Sequence, residues 1–142
     1  MTNEPYVLVL YYSTGGATKS LAMEIARGID GVPGIHPKIR TVPDIQSEND
    51  STVPSTANTA HPFCNKEELR LCSGLFMGSG TRFGNMAAQL KYFLDSTADI
   101  WSSNQLEGKP ASVFCSSSSM HGGQESTLLS MMIPLLHHGM VI

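Results

Sequence analysis

The chain has 142 residues, 41% of them hydrophobic and 15% charged, and its 9 basic and 12 acidic residues leave a formal net charge of -3. That length suits one domain, residues 1–142, around a single core, and so small a charge with no Lys or Arg cluster excludes electrostatic steering onto nucleic acid. The N-terminal run MTNEPYVLVLYY has no basic region and is too short an apolar stretch for a bilayer span or a secretory signal, which points to a cytoplasmic protein.

Residues 6–29 read as a buried strand, a small-residue loop and an amphipathic helix. Val7, Leu8, Val9 and Leu10 are apolar at both alternating positions, as in a parallel strand covered on both faces. Leu21, Ala22, Ile25, Ala26 and Ile29 then recur at helical spacing. Between them lies Ser13-Thr14-Gly15-Gly16-Ala17-Thr18, whose glycines allow a tight turn and whose hydroxyls can donate to oxyanions. The free N–H groups of the following helix carry its positive dipole end, so a phosphate monoester fits here; an ordinary helix N-cap is the structural alternative. A P-loop is excluded because Ser13 and Thr18 occupy its two glycine positions ahead of Lys19-Ser20. A dinucleotide fingerprint is excluded because Gly78, Gly80 and Gly84 are one residue too widely spaced.

Gly28, Gly31, Pro33 and Gly34 stop the helix, and residues 36–42, with Ile39 and Thr41, read as a second strand. Residues 43–63 are polar and aperiodic, a long excursion that is either mobile or an oligomer contact. Asn65 and Glu68 have capping-box spacing and open a short helical turn to Leu71. A third strand at residues 74–78 leads into Ser79-Gly80-Thr81-Arg82-Phe83-Gly84-Asn85 and a helix marked by Met86, Leu90, Phe93 and Leu94. Loops after parallel strands share the carboxyl edge, where α/β proteins bind ligands. Arg82 beside Phe83 offers a hydrogen-bonding fork and an aromatic plate suited to a flat heteroaromatic ring, against the alternative of a solvated loop arginine.

A polar connection, residues 96–108, holds Trp101, which either covers the core edge or walls a planar pocket. The fourth strand, residues 112–116, ends in Ser116-Ser117-Ser118-Ser119-Met120-His121-Gly122-Gly123, a third small-residue loop on the same edge. There is no Gly-x-Ser-x-Gly elbow, so a serine hydrolase is not indicated. A helix from Gln124 is expected to bend at Pro134 and to end in His137-His138-Gly139, with glycine at C′. Adjacent histidines do not share a helix face, and Cys64, Cys72 and Cys115 lack Cys-x-x-Cys spacing, so neither a metal site nor a disulfide framework is expected. Met140-Val141-Ile142 opens a further strand; a doubly wound domain ordinarily finishes that strand and adds a closing helix, so the expectation is a C-terminally shortened domain.

Thr81-Arg82-Phe83-Gly84-Asn85-Met86, Ala111-Ser112-Val113-Phe114, Gly122-Gly123-Gln124-Glu125 and His137-His138-Gly139-Met140-Val141-Ile142, behind Val9-Leu10-Tyr11-Tyr12-Ser13, resemble the WrbA family of FMN-dependent NAD(P)H:quinone oxidoreductases. The resemblance covers the whole chain. It implies an α/β, flavodoxin-like, three-layer doubly wound parallel sheet in strand order 2-1-3-4-5, here with strand 5 incomplete and the last helix absent. It also implies a homotetramer that binds FMN and reduces quinones by two electrons, in ping-pong fashion, with NADH or NADPH. By the same resemblance, Ser13, Thr14, Gly15, Gly16, Ala17 and Thr18 hold the FMN phosphate, and Thr81, Arg82, Phe83 and Gly84 contact the isoalloxazine. Ser116, Ser117, Ser118, Ser119, Met120, His121, Gly122 and Gly123 flank its other edge, His137 belongs to the flavin site, and Trp101 and Gly15 lie near the substrate. Two departures stand out. Gly15 occupies the place of a tyrosine found in many relatives, and the loop at residues 116–123 is one residue longer than in some, with Met120-His121 inserted. No residue is an obvious acid or base; His121 is the candidate proton donor to the quinol, against a backbone-bonding role. A one-electron flavodoxin carrier and a protein-binding regulator are the rival readings; carriers are usually strongly acidic, which -3 is not.

Overall fold

A computed structural model describes residues 4–45 and 61–142. Its elements in chain order are β1 (Tyr6–Tyr12), α1 (Ala17–Asp30), β2 (His36–Thr41), α2 (Lys66–Leu71), β3 (Gly74–Gly80), α3 (Ala88–Asp95), α4 (Ala98–Ser102), β4 (Ala111–Ser116) and α5 (Gln124–His137). The four strands form one parallel sheet in the order β2-β1-β3-β4. Val9 of β1 sits between Ile39 and Phe76, and Met77 of β3 pairs with Val113.

The apolar residues of β1 divide by parity between two cores, as expected of a strand with helices on both faces. Tyr6, Leu8, Leu10 and Tyr12 pack with Leu69 of α2, Leu90 and Leu94 of α3, Ile100 of α4, and Met131 and Leu135 of α5. Val9 and Tyr11 turn to the other side, onto Ala22, Ala26 and Ile29 of α1. The result is a three-layer, doubly wound fold. After α5 the chain returns beside the start of β4, where Val141 makes a parallel bridge with Pro110. Ala111 N–H donates to the Val141 carbonyl at 2.7 Å, and Val141 N–H donates to the Lys109 carbonyl at 2.9 Å. This is the fifth position of the expected order.

Local chemistry explains most boundaries. Asn65 Oδ1 accepts from the Glu68 N–H at 2.9 Å while Glu68 Oε2 accepts from the Asn65 N–H at 3.3 Å, the reciprocal capping box that starts α2. At the end of α5, Met140 N–H reaches the Leu135 carbonyl (3.1 Å) and Gly139 N–H the Leu136 carbonyl (2.9 Å), with Gly139 at φ 77°. That Schellman closure also buries Met140 beside Leu135. Pro134 lies in the last turn of α5, and the helix runs through it to His137.

Three details differ from the sequence pattern. Leu21 is 41% exposed, and the buried stripe of α1 instead begins at Thr18. Helix α3 starts at Ala88, because Ser79 Oγ accepts the Ala87 N–H at 2.9 Å and holds Met86 and Ala87 as buried, non-helical chain. The segment at residues 96–108 contains α4, whose five residues are too few to show a period although Ile100 is fully buried. Of the excursion at residues 43–63, residues 46–60 lie outside the described residues. At its end Phe63 bridges Thr41 in parallel, so the chain re-enters alongside β2. Among the described residues, no helix is long and apolar enough to cross a membrane.

Candidate functional site

Because every strand is parallel, the loops after β1, β3 and β4 leave from one edge. They enclose a cleft of about 280 Å³ lined by Tyr12, Ser13, Thr14, Gly15, Ala17, Thr18, Gly80, Thr81, Arg82, Ser116, Ser117 and Ser118. The cleft lies between β1 and β3, where the winding of the sheet reverses and two neighbouring loops diverge.

The β1 loop is built to present helix N–H groups. Ser13 Oγ accepts the Gly16 N–H at 3.1 Å and tightens the turn, and Gly16, at φ 91°, takes a left-handed conformation that disfavours a side chain. Helix α1 then begins with no side-chain cap and no acidic residue in its first turn. The first intrahelical bond is Ser20 N–H to the Gly16 carbonyl at 2.9 Å, so the N–H groups of Ala17, Thr18 and Lys19 have no helical acceptor. Three hydroxyls, those of Ser13, Thr14 and Thr18, stand around them. Uncapped donors with the positive dipole end form an anion receptor. Thr18 is 2% exposed, and its Oγ1 lies 2.7 Å from Ser116 Oγ, which locks the start of α1 to the end of β4.

The β3 loop adds the charge. Arg82 donates from Nη2 to Thr14 Oγ1 at 2.7 Å and from Nη1 to the Thr81 carbonyl at 2.9 Å, so its guanidinium spans from one loop to the next. Arg82 and Asn85 exchange backbone bonds of 2.8 and 3.0 Å around Phe83 (φ 52°) and Gly84 (φ 76°). Positive φ at both central residues is the type I′ turn, costly for an aromatic, and it holds the Phe83 ring wholly in solvent.

The β4 loop packs against this turn. A Cβ on Gly123 (φ 101°) would stand 3.0 Å from Thr81 Oγ1 and 3.2 Å from Gly84 Cα, so the two loops meet where only glycine fits. Thr81 Oγ1 and Thr127 Oγ1 lie 2.8 Å apart and fasten the turn to α5. Ser117 Oγ donates to the Ser119 carbonyl at 2.6 Å, which shapes the serine run without any histidine partner. Met120 and His121 project outward, His121 at φ 50° and in contact with Glu125.

Two residues expected at the site are placed elsewhere. Trp101 and His137 line a second cavity of about 480 Å³ between α3, α4 and α5, with Leu94, Ile133 and His138. His137 ends a 14-residue helix, which is about 20 Å long, whose other end borders the cleft. His138 Nε2 is 2.9 Å from Thr97 Oγ1, and burial, with the neighbouring His137, pushes its pKa down. Two lining residues escaped the sequence reading. The sequence pattern places Gly80 only in the loop and Tyr12 only in the strand, yet both line the cleft, and Tyr12 donates to Asp44 Oδ1 at 2.6 Å. Burial, then that bond, push the Tyr12 phenol up to about 12, so it stays protonated. The usable signal was its place as the last strand residue before a small-residue loop.

Of the described residues that line the cleft, Arg82 alone is charged, and none is His, Cys, Asp or Glu. Among the described residues no group of three or more such side chains is poised to hold a metal ion. The cleft is equipped to bind an anionic molecule rather than to perform acid–base chemistry with its own walls.

Comparison with solved structures shows the same architecture. A WrbA-like flavodoxin from Agrobacterium tumefaciens superposes with a TM-score of 0.73 at 21% identity, covering 96% of this chain and 75% of that one. An archaeal flavodoxin gives 0.68 at 22% identity, covering 96% and 76%. The fold is flavodoxin-like. In sequence, the chain is 43% identical over 141 residues to an NAD(P)H dehydrogenase (quinone) of Solidesulfovibrio magneticus, covering 96% of this chain and 70% of that protein. It is 44% identical to an NAD(P)H dehydrogenase (quinone) of Geotalea daltonii, covering 96% and 69%. A family model described as NADPH-dependent FMN reductase matches residues 5–142, and the chain belongs to that family.

Proposed function

We propose that the chain is an FMN-dependent NAD(P)H dehydrogenase acting on quinones, with residues 1–142 serving as its flavin-binding domain. The observation that carries this reading is the uncapped, acid-free start of α1 opening into a cleft that Arg82 borders. The residues present fit FMN: helix N–H groups and hydroxyls for a terminal phosphate, and open space at Gly15 and Gly16, where an added Cβ would meet nothing within 4 Å. When bound, the flavin supplies hydride transfer between nicotinamide and quinone.

The chain's own residues bind and orient. Ser13, Thr14, Gly15, Gly16, Ala17 and Thr18 take the phosphate, Thr81 and Arg82 the polar edge of the ring system, and Ser116, Ser117 and Ser118 the opposite wall. Arg82, held by Thr14 and Thr81, sets a positive charge beside the cleft that favours a negatively charged flavin. His121 supplies the proton that the quinone oxygen takes up as the quinol forms. Gly15 leaves the substrate side open in place of an aromatic wall.

Trp101 and His137 reach a flavin only from a neighbouring copy, since both lie on the separate cavity. That reading goes with a homotetramer. It is supported by the apolar exposure of the residues lining that cavity, where Trp101 is 55% and Ile133 57% exposed. Three free cysteines favour a reducing, cytoplasmic setting. Mass spectrometry of the cofactor released from purified protein tests the assignment. FMN is expected, and FAD would sink it, because no fingerprint in this chain holds an adenosine half.

A further inference from the structure

His121 is one of three non-glycine residues among those described with positive φ; Phe83, on the facing loop, is another. Strain of this kind, at about 1–3 kcal/mol, persists where surrounding contacts enforce it and clusters at working sites. The backbone beside His121 is fixed on both loops. A Cβ on Gly122 would meet Ser119 Oγ first and then Ser117 Oγ at 3.1 Å, one on Gly123 would meet Thr81 Oγ1 at 3.0 Å, and both Ser117 and Thr81 line the cleft. The imidazole projects outward from the β4 loop, three residues past the last lining residue, Ser118, with 88% of its side chain exposed, and its Nδ1 meets Glu125 Oε1 of α5 at 2.5 Å.

We propose that Glu125 is the positioning residue of a proton-delivery pair in which it engages His121 Nδ1 and leaves Nε2 free to protonate the quinone oxygen. This rests on the quinone-reductase reading. The reductant is a reduced nicotinamide: NAD(P)H, a proton and quinone become NAD(P)+ and quinol, with two electrons and one hydrogen passing as hydride. The second hydrogen is the proton in question. In the imidazolium form, with Nδ1–H held by Glu125, the His121 Nε2–H bond breaks, the quinol O–H bond forms, and the neutral ring left with its proton on Nδ1 regains one at Nε2 from a hydronium ion of the solvent. The carboxylate side agrees, because the hydrogen bond from His121 is the largest influence holding Glu125 below the usual carboxylate range. Such a pair matters only for acceptors that take up a proton.

The test compares two acceptors on FMN-loaded protein: benzoquinone, whose product carries protons, and ferricyanide, which accepts electrons alone. The ratio of quinone to ferricyanide turnover is expected to fall about a hundredfold in His121→Gln, the low end of general-acid contributions, and about tenfold in Glu125→Ala. Nitrogen-15 NMR of labelled histidine supplies a readout independent of turnover. Neutral His121 is expected to carry its proton on Nδ1 in the wild type and in Glu125→Gln, whose amide oxygen still accepts, and to lose that preference in Glu125→Ala. An unchanged ratio in both variants, or an unchanged tautomer in Glu125→Ala, overturns the inference while leaving the enzyme reading intact. A wild-type protein that reduces neither acceptor overturns the enzyme reading and this inference with it.

Discussion

Replacing Arg82 with Ala removes the only charge that the described residues bring to the cleft lining, and the clasp between two of its loops. The guanidinium makes bonds of 2.7 Å to Thr14 Oγ1 and 2.9 Å to the Thr81 carbonyl, both at an exposed position. Without it those acceptors turn to water, so the free protein should lose no more than about 0.5 kcal/mol of stability. Flavin affinity should suffer more. A hydrogen bond to a charged group contributes about 1.5–3 kcal/mol, or roughly tenfold to a hundredfold in Kd. The assay is titration of flavin-free protein with FMN, followed by quenching of flavin fluorescence, with a thermal melt as control. Arg82→Lys separates charge from geometry: it keeps the positive charge but loses the fork, so its Kd should fall between wild type and Arg82→Ala. A Kd for Arg82→Ala within twofold of wild type would show that the guanidinium is a loop clasp with no part in binding.

Gly78→Ala should be destabilising, because its Cβ would lie 2.1 Å from the Phe114 ring. Overpacking of about 1–3 kcal/mol should lower Tm by roughly 3–10 °C, with partial recovery on adding Phe114→Leu; an unchanged Tm contradicts the packing. Glu68 sets an acid limit on stability. Burial pushes its pKa up, but hydrogen bonds from Arg40 and the Asn65 N–H, with the charges of Arg40 and Lys38, outweigh that and leave it below the usual glutamate value. A depressed folded pKa gives stability that is present above the unfolded value of about 4.3 and is lost as pH falls through the folded one. Urea midpoints of Glu68→Gln should therefore be lower than wild type at pH 7, by about 1.5–3 kcal/mol in stability, and flatter below pH 5; parallel pH curves for the two proteins would refute this.

The parts of this fold that the sequence makes legible are those where the chemistry of a few neighbouring residues suffices. Val7 to Leu10 announced a two-faced strand because parallel strands bury both parities, and Asn65 with Glu68 announced a helix start because the capping box is a local pair. The small-residue loop at residues 13–18 was readable as an anion receptor for the same reason. What stayed hidden depends on contacts between distant segments. Thr18 enters the buried stripe because Ser116, 98 positions on, offers it a partner, and Tyr12 becomes a wall because Asp44 holds its hydroxyl. The resemblance puts His137 at the flavin and Trp101 near the substrate, yet the fold of this chain assembles both on a separate cavity about a helix length away, a separation that no motif encodes.

The most direct test is steady-state oxidation of NADH and NADPH by the FMN-loaded chain in the presence of benzoquinone. The expected result is quinone-dependent oxidation of at least one of the two nicotinamides, one quinol formed per nicotinamide consumed, abolished when the flavin is removed and restored by FMN. FMN-loaded protein whose flavin neither nicotinamide reduces would contradict the assignment and leave the cleft as that of an electron carrier.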